Sequence, residues 1–210
     1  MSELFELGPS GEHARDEAIE SAARAIREGE VVVLPTDTVY GIGSRPDRKK
    51  ATARLFDVKR RRRDLTLPIL VSGLEDAARV AILDDRATSL AERFWPGGLT
   101  LVLPRAELAR RWDLGEASES VGIRMPDNGV ALALLQTTGP LAVTSANLSS
   151  EPTPPDCPGV RAIFGQEVAV YLCAGSLSGL ASTVVDLSGP EPRVLREGAI
   201  PSNDLGFVVE

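Results

Sequence analysis

The 210-residue sequence is short of the residue types on which many catalytic sites depend. It has one histidine, His13, and two cysteines, Cys157 and Cys173. A Ser-His-Asp triad, a Cys-His pair or a histidine-rich metal centre would each have to use His13, which we place on a polar N-terminal helix with a solvated side chain. The cysteines have no second pair and no histidine cluster, so we disfavour a zinc site and expect reduced thiols.

Long apolar runs and excess positive charge are also missing. No apolar run approaches the roughly 18 residues of a membrane span, and the N-terminus is acidic where a secretory signal needs cations. The formal net charge is −7, so any contact with a nucleotide or a nucleic acid needs a local basic patch. We therefore expect a cytoplasmic protein without membrane contact.

Strands and helices alternate along the chain, which is long enough for one full core and has no repeat or low-complexity linker. Apolar spacing predicts helices over residues 10–29, 75–81, 85–94 and 130–136. It also predicts a helix that Asp47 could cap, that runs through Ala51, Leu55 and Phe56 and that ends in the basic run of residues 59–63. Short β-branched runs predict strands at 31–34, 67–72, 99–103, 120–124, 141–144, 168–172, 182–187 and 193–195. The pattern indicates a mixed α/β fold with one main sheet in a single domain over residues 1–210.

The first candidate site follows the apolar run Val31 to Leu34. Pro35 ends this predicted strand, and the polar side chains of Thr36, Asp37, Thr38 and Tyr40 come next. Ligands of open α/β sheets bind beyond the carboxyl ends of strands, so this segment is placed to bind a small molecule. The alternative is a polar surface turn.

The second candidate is the basic run KRRRR, residues 59–63. If the run is extended, Lys59, Arg61 and Arg63 share one face, which suits a triphosphate, and the other two arginines share the opposite face. In a helix the side chains would diverge by about 100° per residue. The alternative is a solvated run of charges.

The third candidate is LAVTSANLSS, residues 141–150, where an apolar run changes to small hydroxyl side chains and an amide. Small side chains leave backbone N–H groups open to an anion. Two strands that end in this way suggest one crevice between them, and the absence of a Walker A pattern means that a nucleotide would be bound in another way.

With these segments in their order, the chain resembles the YrdC-like family of threonylcarbamoyl-AMP synthases. The segments that carry the resemblance are LPTDTVYGIG, the lysine-any-arginine pattern at Lys59 and Arg61, FWPGGLTLVL, SVGIRMPDN, LAVTSAN, STVVDLSG and VLREGAI. The resemblance covers about residues 15–200 and is carried by the order of these segments. It implies a twisted, mixed, open sheet with flanking helices and a large, positively charged concave cleft.

The resemblance also implies a reaction. L-threonine, bicarbonate or carbon dioxide, and ATP give threonylcarbamoyl-AMP and pyrophosphate, with Mg²⁺ carried by ATP and no metal ligand or tightly bound cofactor from the protein. Downstream threonylcarbamoyl transferase machinery would move the group to tRNA, and the protein could contact RNA itself. A threonine amine can capture carbon dioxide without a protein nucleophile, so positioning and charge neutralisation would supply the catalysis.

Site roles follow from the resemblance by matching position. Catalysis and phosphate binding fall to Lys59 and Arg61, and ATP would also contact Arg63, Ser120, Ser145, Ala146, Asn147 and Arg196. The residues expected around L-threonine are Thr36, Tyr40, Arg124, Thr144 and Ser182, with Arg124 as the partner of the carboxylate. For both Arg124 and Arg196 the alternative is a surface charge at a strand end.

The chain departs from the family pattern beside its basic run. Arg62, Leu65 and Thr66 stand where family members usually carry a proline, a cation, and a proline or glycine. Losing a proline after Arg61 removes one reason for the run to be extended. Three rival functions remain. They are an RNA-binding protein with this fold, a catalytically divergent paralogue, against which the intact Thr-Ser-Ala-Asn stretch argues, and another carbamoyl or adenylate transferase.

Overall fold

A computed structural model describes residues 2–8, 12–116, 119–177 and 179–206. The helices found there are α1 (Glu12–Glu28), α2 (Lys49–Lys59), α3 (Leu74–Val80), α4 (Asp85–Phe94), α5 (Glu107–Arg110), α6 (Gly129–Thr138) and α7 (Cys157–Phe164). The strands are β1 (Glu3–Glu6), β2 (Val32–Leu34), β3 (Gly41–Ser44), β4 (Ile69–Leu70), β5 (Leu99–Pro104), β6 (Ser120–Arg124), β7 (Leu141–Ser145), β8 (Val170–Cys173), β9 (Thr183–Asp186) and β10 (Arg193–Arg196). Two short 3-10 helices cover Gly165–Glu167 and Ser202–Leu205.

The described strands form one mixed sheet in the order β1-β8-β2-β3-β7-β4-β6-β5-β9-β10. Strand β3 runs antiparallel to both β2 and β7, and Gly41 lies opposite Ser145. Strand β5 is antiparallel to β6 and parallel to β9. This arrangement confirms the expected mixed α/β fold, and it brings the β2–β3 turn beside the end of β7.

Apolar side chains cover both faces of the sheet because successive strand residues point to opposite sides. Val32 and Leu34 pack with helices α1 and α6 on one face, whereas Val31 and Val33 belong to the core on the other face, with α2 and α4. Fully burying one such side chain stabilises the fold by about 1.5–3 kcal/mol. The central strands are therefore a firm base for the loops at their ends.

Two local predictions need correction or qualification. Asp47 does not cap α2: the N-cap is Arg48, and Asp47 instead forms an ion pair with Arg45. The helix predicted over residues 10–29 begins at Glu12 in the structure, and Ser10 lies outside the described residues. His13 lies exposed on α1, as its polar surroundings predicted.

The expectation of reduced thiols is wrong. Cys157, the first residue of α7, forms a disulfide with Cys173, the last residue of β8, and their Cα atoms are 5.5 Å apart. Both cysteines are buried. Because α7 packs against β8, the fold joins two residues whose separation in the sequence gave no sign of a pair.

Among the described helices, none is both long enough and apolar enough to cross a bilayer.

Candidate functional site

A cavity of about 560 Å³ opens where the β2–β3 turn and the loop after β7 meet strands β5, β6 and β9. Ten of the thirteen predicted site residues line it: Thr36, Tyr40, Arg61, Ser120, Arg124, Thr144, Ser145, Asn147, Ser182 and Arg196. Lys59, Arg63 and Ala146 are not among the lining residues. Segments that are far apart in the sequence thus converge on one space, as the similar ends of β2 and β7 suggested.

The β2–β3 turn is held by its own hydroxyl groups. The Thr36 Oγ1 donates to the carbonyl oxygen of Val39 at 2.6 Å and accepts from the backbone N–H groups of Thr38 and Val39. Tyr40, at the end of the turn, donates its hydroxyl to the Gly175 carbonyl oxygen at 2.7 Å and accepts from the Ala174 N–H. Burial raises the pKa of Tyr40, so its phenol stays protonated. The turn presents a fixed polar surface to the cavity.

Arg124 reaches the same turn from the end of β6. Its Nη2 lies 2.5 Å from Asp37 Oδ1, its Nη1 donates to Thr38 Oγ1 at 2.7 Å, and its Nε donates to the Gly97 carbonyl oxygen at 2.9 Å. Burial lowers the pKa of Arg124, and the charge of Asp37 opposes that shift. The guanidinium is therefore a buried, held cation on the cavity wall, which argues against the surface-charge alternative.

Arg196 enters from β10 and lies against Ser182. Its Nη2 and Nε donate to the Ser182 carbonyl oxygen at 2.8 and 3.1 Å. The Oγ of Ser182, the residue before β9, is 2.8 Å from Thr100 Oγ1 of β5, so this hydroxyl pair links β5 to the segment that enters β9. Arg196 is exposed at the end of β10, in keeping with a surface charge, yet partial desolvation lowers its pKa and its charge is close enough to act on Arg124. Two cations therefore flank one part of the cavity.

The basic run does not form one extended segment. Lys59 is the last residue of α2, and Arg60 adopts a left-handed conformation that ends the helix. Arg61 turns back on the chain, and its Nε and Nη2 donate to the carbonyl oxygens of Leu65 and Thr66, both at 3.1 Å. These bonds use backbone oxygens, so the departures from the family pattern at residues 65 and 66 do not remove them. Burial lowers the pKa of Arg61, which still lines the cavity.

Arg63 lies away from the cavity. Its side chain forms an ion pair with Asp113 and stacks over the Phe56 ring, 4.7 Å from the ring centre. The shared face proposed for Lys59, Arg61 and Arg63 is therefore not formed in this structure.

Lys59 is buried beneath the loop after β7, with 1% of its surface exposed. Its Nζ donates to the carbonyl oxygens of Ser145 and Asn147 at 2.5 and 2.6 Å, and to Asn147 Oδ1 at 3.0 Å. Its own carbonyl oxygen accepts from the Ser149 N–H. Burial lowers the pKa of Lys59 to about 7, and the nearby Arg61 adds to this effect. Lys59 therefore holds the loop from below.

The same loop is braced internally. Ser145 Oγ donates to Asn147 Oδ1 at 2.5 Å, and Asn147 Nδ2 donates to the carbonyl oxygens of Leu148 and Glu151. The Ala146 N–H donates to the Tyr40 carbonyl oxygen at 2.7 Å. The small side chains that marked this stretch in the sequence allow this close contact with the β2–β3 turn.

Close approach of backbones also shapes the site. A Cβ on Gly198 would lie 2.0 Å from the Ala181 carbonyl oxygen, and one on Gly179 would lie 2.3 Å from the Thr38 carbonyl oxygen. Only glycine allows the segments that carry Ser182 and Arg196 to pack this tightly.

Sequence reasoning left several site residues unassigned. The cavity is also lined by Thr38, Thr100 and Glu151. Asp37 does not line it but accepts a hydrogen bond from Arg124. Asp37 and Thr38 stood in the motif already singled out, whereas Thr100 lies inside a strand that carried no polar signal beyond its own hydroxyl. The pairing of β5 with β9 brings Thr100 to the site, and no local pattern reveals that pairing.

The chemical character of the cavity follows from this set. Three arginines and several hydroxyl groups face it, and the described residues contain no group of three His, Cys, Asp or Glu side chains that could hold a metal ion. Guanidinium groups bind carboxylates and phosphates through paired N–H donors. The arrangement suits anionic ligands that bring their own reactive groups.

Comparisons with known proteins point the same way. The family model Sua5_yciO_yrdC, described as telomere recombination, matches residues 24–198. A Mycobacterium tuberculosis protein, provisionally named a threonylcarbamoyl-AMP synthase, is 42% identical over 211 residues, which is 100% of this chain and 96% of that protein.

Two solved structures share the fold. The Pyrococcus abyssi Sua5 structure complexed with L-threonine has a TM-score of 0.88 and 34% identity, over 98% of this chain and 59% of that one. This chain thus spans only part of the length of that protein. The Escherichia coli YciO structure has a TM-score of 0.85 and 28% identity, over 94% of this chain and 96% of that one.

Proposed function

Since the chain belongs to the Sua5/YciO/YrdC family, we propose that it is an L-threonylcarbamoyladenylate synthase that makes threonylcarbamoyl-AMP and pyrophosphate from L-threonine, bicarbonate or carbon dioxide, and ATP. The observation that carries the proposal is the convergence of Arg61, Arg124 and Arg196 on one cavity with seven other predicted site residues. A relative with 96% of its length covered bears the name of this enzyme, and the P. abyssi protein binds L-threonine.

The reaction needs little covalent chemistry from the protein. The threonine nitrogen attacks carbon dioxide and loses a proton, which gives a carbamate. A carbamate oxygen then attacks the α-phosphorus of ATP, the bond to the β-phosphate oxygen breaks, and pyrophosphate leaves with its electron pair. Cations that neutralise the phosphates and fixed positions for both substrates lower the barrier of such a transfer. The cavity offers these two things.

The cavity wall beside the loop after β7 suits ATP, which would bind as its magnesium complex. Arg61 would contact the phosphates, with Arg196 and Ser120 nearby, and Ser145 and Asn147 would contact the nucleotide. Ala146 would act indirectly, since its N–H holds the loop against the β2–β3 turn. Each charge-assisted hydrogen bond contributes about 1.5–3 kcal/mol. Lys59 would contribute through the loop that it holds, because its three N–H donors already have acceptors.

L-threonine would lie beside the β2–β3 turn and the end of β9. Arg124 would bind its carboxylate, and Thr36, Tyr40, Thr144 and Ser182 would surround the rest of the molecule. The product is a mixed anhydride that reacts with water, so a transferase must take it up soon after release. We propose that this is the threonylcarbamoyl transfer machinery that modifies tRNA.

Pyrophosphate release tests the proposal. Purified protein is given ATP, Mg²⁺ and bicarbonate, with L-threonine or with L-serine as the control. We expect release that depends on threonine, a raised ATP requirement in Arg61→Met and a raised threonine requirement in Arg124→Met. Pyrophosphate release that does not depend on threonine, from protein shown to be folded, would contradict the proposal.

The likeness to YciO supports one other candidate, a paralogue of the same fold with different chemistry. The intact Thr144-Ser145-Ala146-Asn147 stretch favours the synthase, since Ser145 and Asn147 form the loop that Lys59 holds. A folded chain that binds ATP but makes no threonine adduct would support the paralogue.

A further inference from the structure

We propose that Asp37 is a positioning residue that fixes the Arg124 guanidinium for the carboxylate of the amino-acid substrate. The inference rests on the proposed function. Asp37 is absent from the residues that line the cavity, whereas Arg124 is among them. Any effect of Asp37 on a bound amino acid must therefore pass through Arg124 or through the turn itself.

The contacts of Arg124 account for three of its five N–H donors. One terminal nitrogen donates to Asp37, the other donates to Thr38, and Nε donates to the Gly97 carbonyl oxygen. The other two N–H groups, one on each terminal nitrogen, have no acceptor among the residues that the structure describes. A carboxylate accepts two parallel bonds from a guanidinium, so the remaining donors match the number that this ligand needs.

Three acceptors from two parts of the chain hold the plane of this guanidinium. Asp37 and Thr38 belong to the β2–β3 turn, and Gly97 lies in the turn before β5. Asp37 Oδ1 also accepts the Asp127 N–H at 3.0 Å, which fixes the carboxylate from a fourth direction. A long arginine side chain loses much conformational freedom when it binds a ligand, and a preset guanidinium avoids that loss.

Burial makes the charge of Asp37 matter. The side chains of Arg124 and Asp37 are only 9% and 18% exposed. An unpaired guanidinium would be costly there, and the Asp37 carboxylate makes the pair neutral before the substrate arrives. Arg196, which acts on Arg124 electrostatically, then supplies positive charge for an incoming anion. Asp37 thus places the guanidinium without excluding a second carboxylate.

The test measures dissociation constants by calorimetry for L-threonine, L-threoninol and ATP. L-threoninol has an alcohol in place of the carboxylate, so its affinity relative to threonine reports the Arg124 contact. We expect Asp37→Ala to weaken threonine binding at least tenfold, to leave threoninol and ATP binding within about twofold, and so to reduce the preference for threonine. A purely structural role would weaken all three ligands together.

Asp37→Asn is the matched variant, because its amide oxygen can still accept from Arg124 and from the Asp127 N–H. We expect it to fold and to bind threonine within about threefold of wild type. Three results would overturn this inference and leave the proposed function standing. They are unchanged threonine binding in Asp37→Ala, equal weakening of threonine and ATP binding in that variant, and a loss of threonine affinity in Asp37→Asn as large as that in Arg124→Met. A wild-type chain that binds no threonine would overturn the proposed function and the inference with it.

Discussion

Replacing Lys59 with methionine separates its effect on stability from its effect on activity. Methionine has a similar length and keeps the apolar contacts, but it removes the charge and the three N–H donors. Three hydrogen bonds from a charged donor favour the ammonium by about 4.5–9 kcal/mol in total. Against this, a fall in the pKa of Lys59 from 10.5 to about 7 disfavours the buried charged form by about 5 kcal/mol.

These two contributions are of similar size, so Lys59→Met should lower the free energy of unfolding by no more than about 4 kcal/mol. The loop should change more than the fold. Without the ammonium, the carbonyl oxygens of Ser145 and Asn147 lose a shared donor, and the Asn147 side chain keeps Ser145 Oγ as a donor. A displacement of about 1 Å in a group that positions substrate can reduce the rate about 10²-fold. We therefore expect kcat/KM for ATP to fall about 10²-fold.

The assay is pyrophosphate release against ATP concentration at saturating threonine, together with urea unfolding and hydrogen exchange of the loop amides. Arg62→Met is the matched control, since Arg62 is in the same basic run, has a side chain that is 80% exposed and pairs with Asp64 on the surface. It should keep wild-type activity. If Lys59→Met keeps activity within roughly threefold of wild type and hydrogen exchange in residues 145–149 is unchanged, Lys59 does not act by holding this loop.

Three further predictions concern Lys59, the Cys157–Cys173 disulfide and Gly198. The pKa of Lys59 is about 7 in the folded chain and 10.5 when it is unperturbed. Because the unfolded chain binds more protons between these two pH values, the stability of the wild type should rise relative to Lys59→Met as the pH increases from 7 to 10. Parallel pH profiles from urea unfolding would contradict this. Reducing the Cys157–Cys173 disulfide should lower the free energy of unfolding by about 3 kcal/mol, because the link restricts the unfolded chain. Thermal unfolding with and without dithiothreitol measures this effect. A melting temperature equal to that of the wild type in the Cys157→Ser, Cys173→Ser double variant would contradict it. Gly198→Ala should weaken both stability and substrate binding, because its Cβ would lie 2.0 Å from the Ala181 carbonyl oxygen; wild-type unfolding and binding curves would show that the loop can move aside.

Much of the fold could be predicted because the main strands are apolar and β-branched. The run before Pro35 reads as a strand and lies in the sheet as β2. Strand β3 was missed, since two of its four residues are glycine, which local propensity disfavours in strands. Its place is set instead by close packing: a Cβ on Gly43 would lie 2.7 Å from the Ala142 carbonyl oxygen.

The site was predictable where local motifs carry it and unpredictable where supporting contacts do. The polar ends of β2 and β7 marked Thr36 and Ser145 correctly as neighbours of one cavity. The partner of Arg124 could not be read from the sequence, because Asp37 lies 87 positions away. The direction of the Lys59 side chain was equally hidden, since it depends on where α2 ends and Arg60 turns the chain.

The proposed reaction joins threonine, carbon dioxide and ATP in one product. The most direct measurement is mass spectrometry of the nucleotide product formed from ¹³C-labelled bicarbonate, L-threonine and ATP by the purified wild-type chain. We expect threonylcarbamoyl-AMP that carries the label, in an amount equal to the pyrophosphate released. AMP or ADP without a labelled threonine adduct would contradict it.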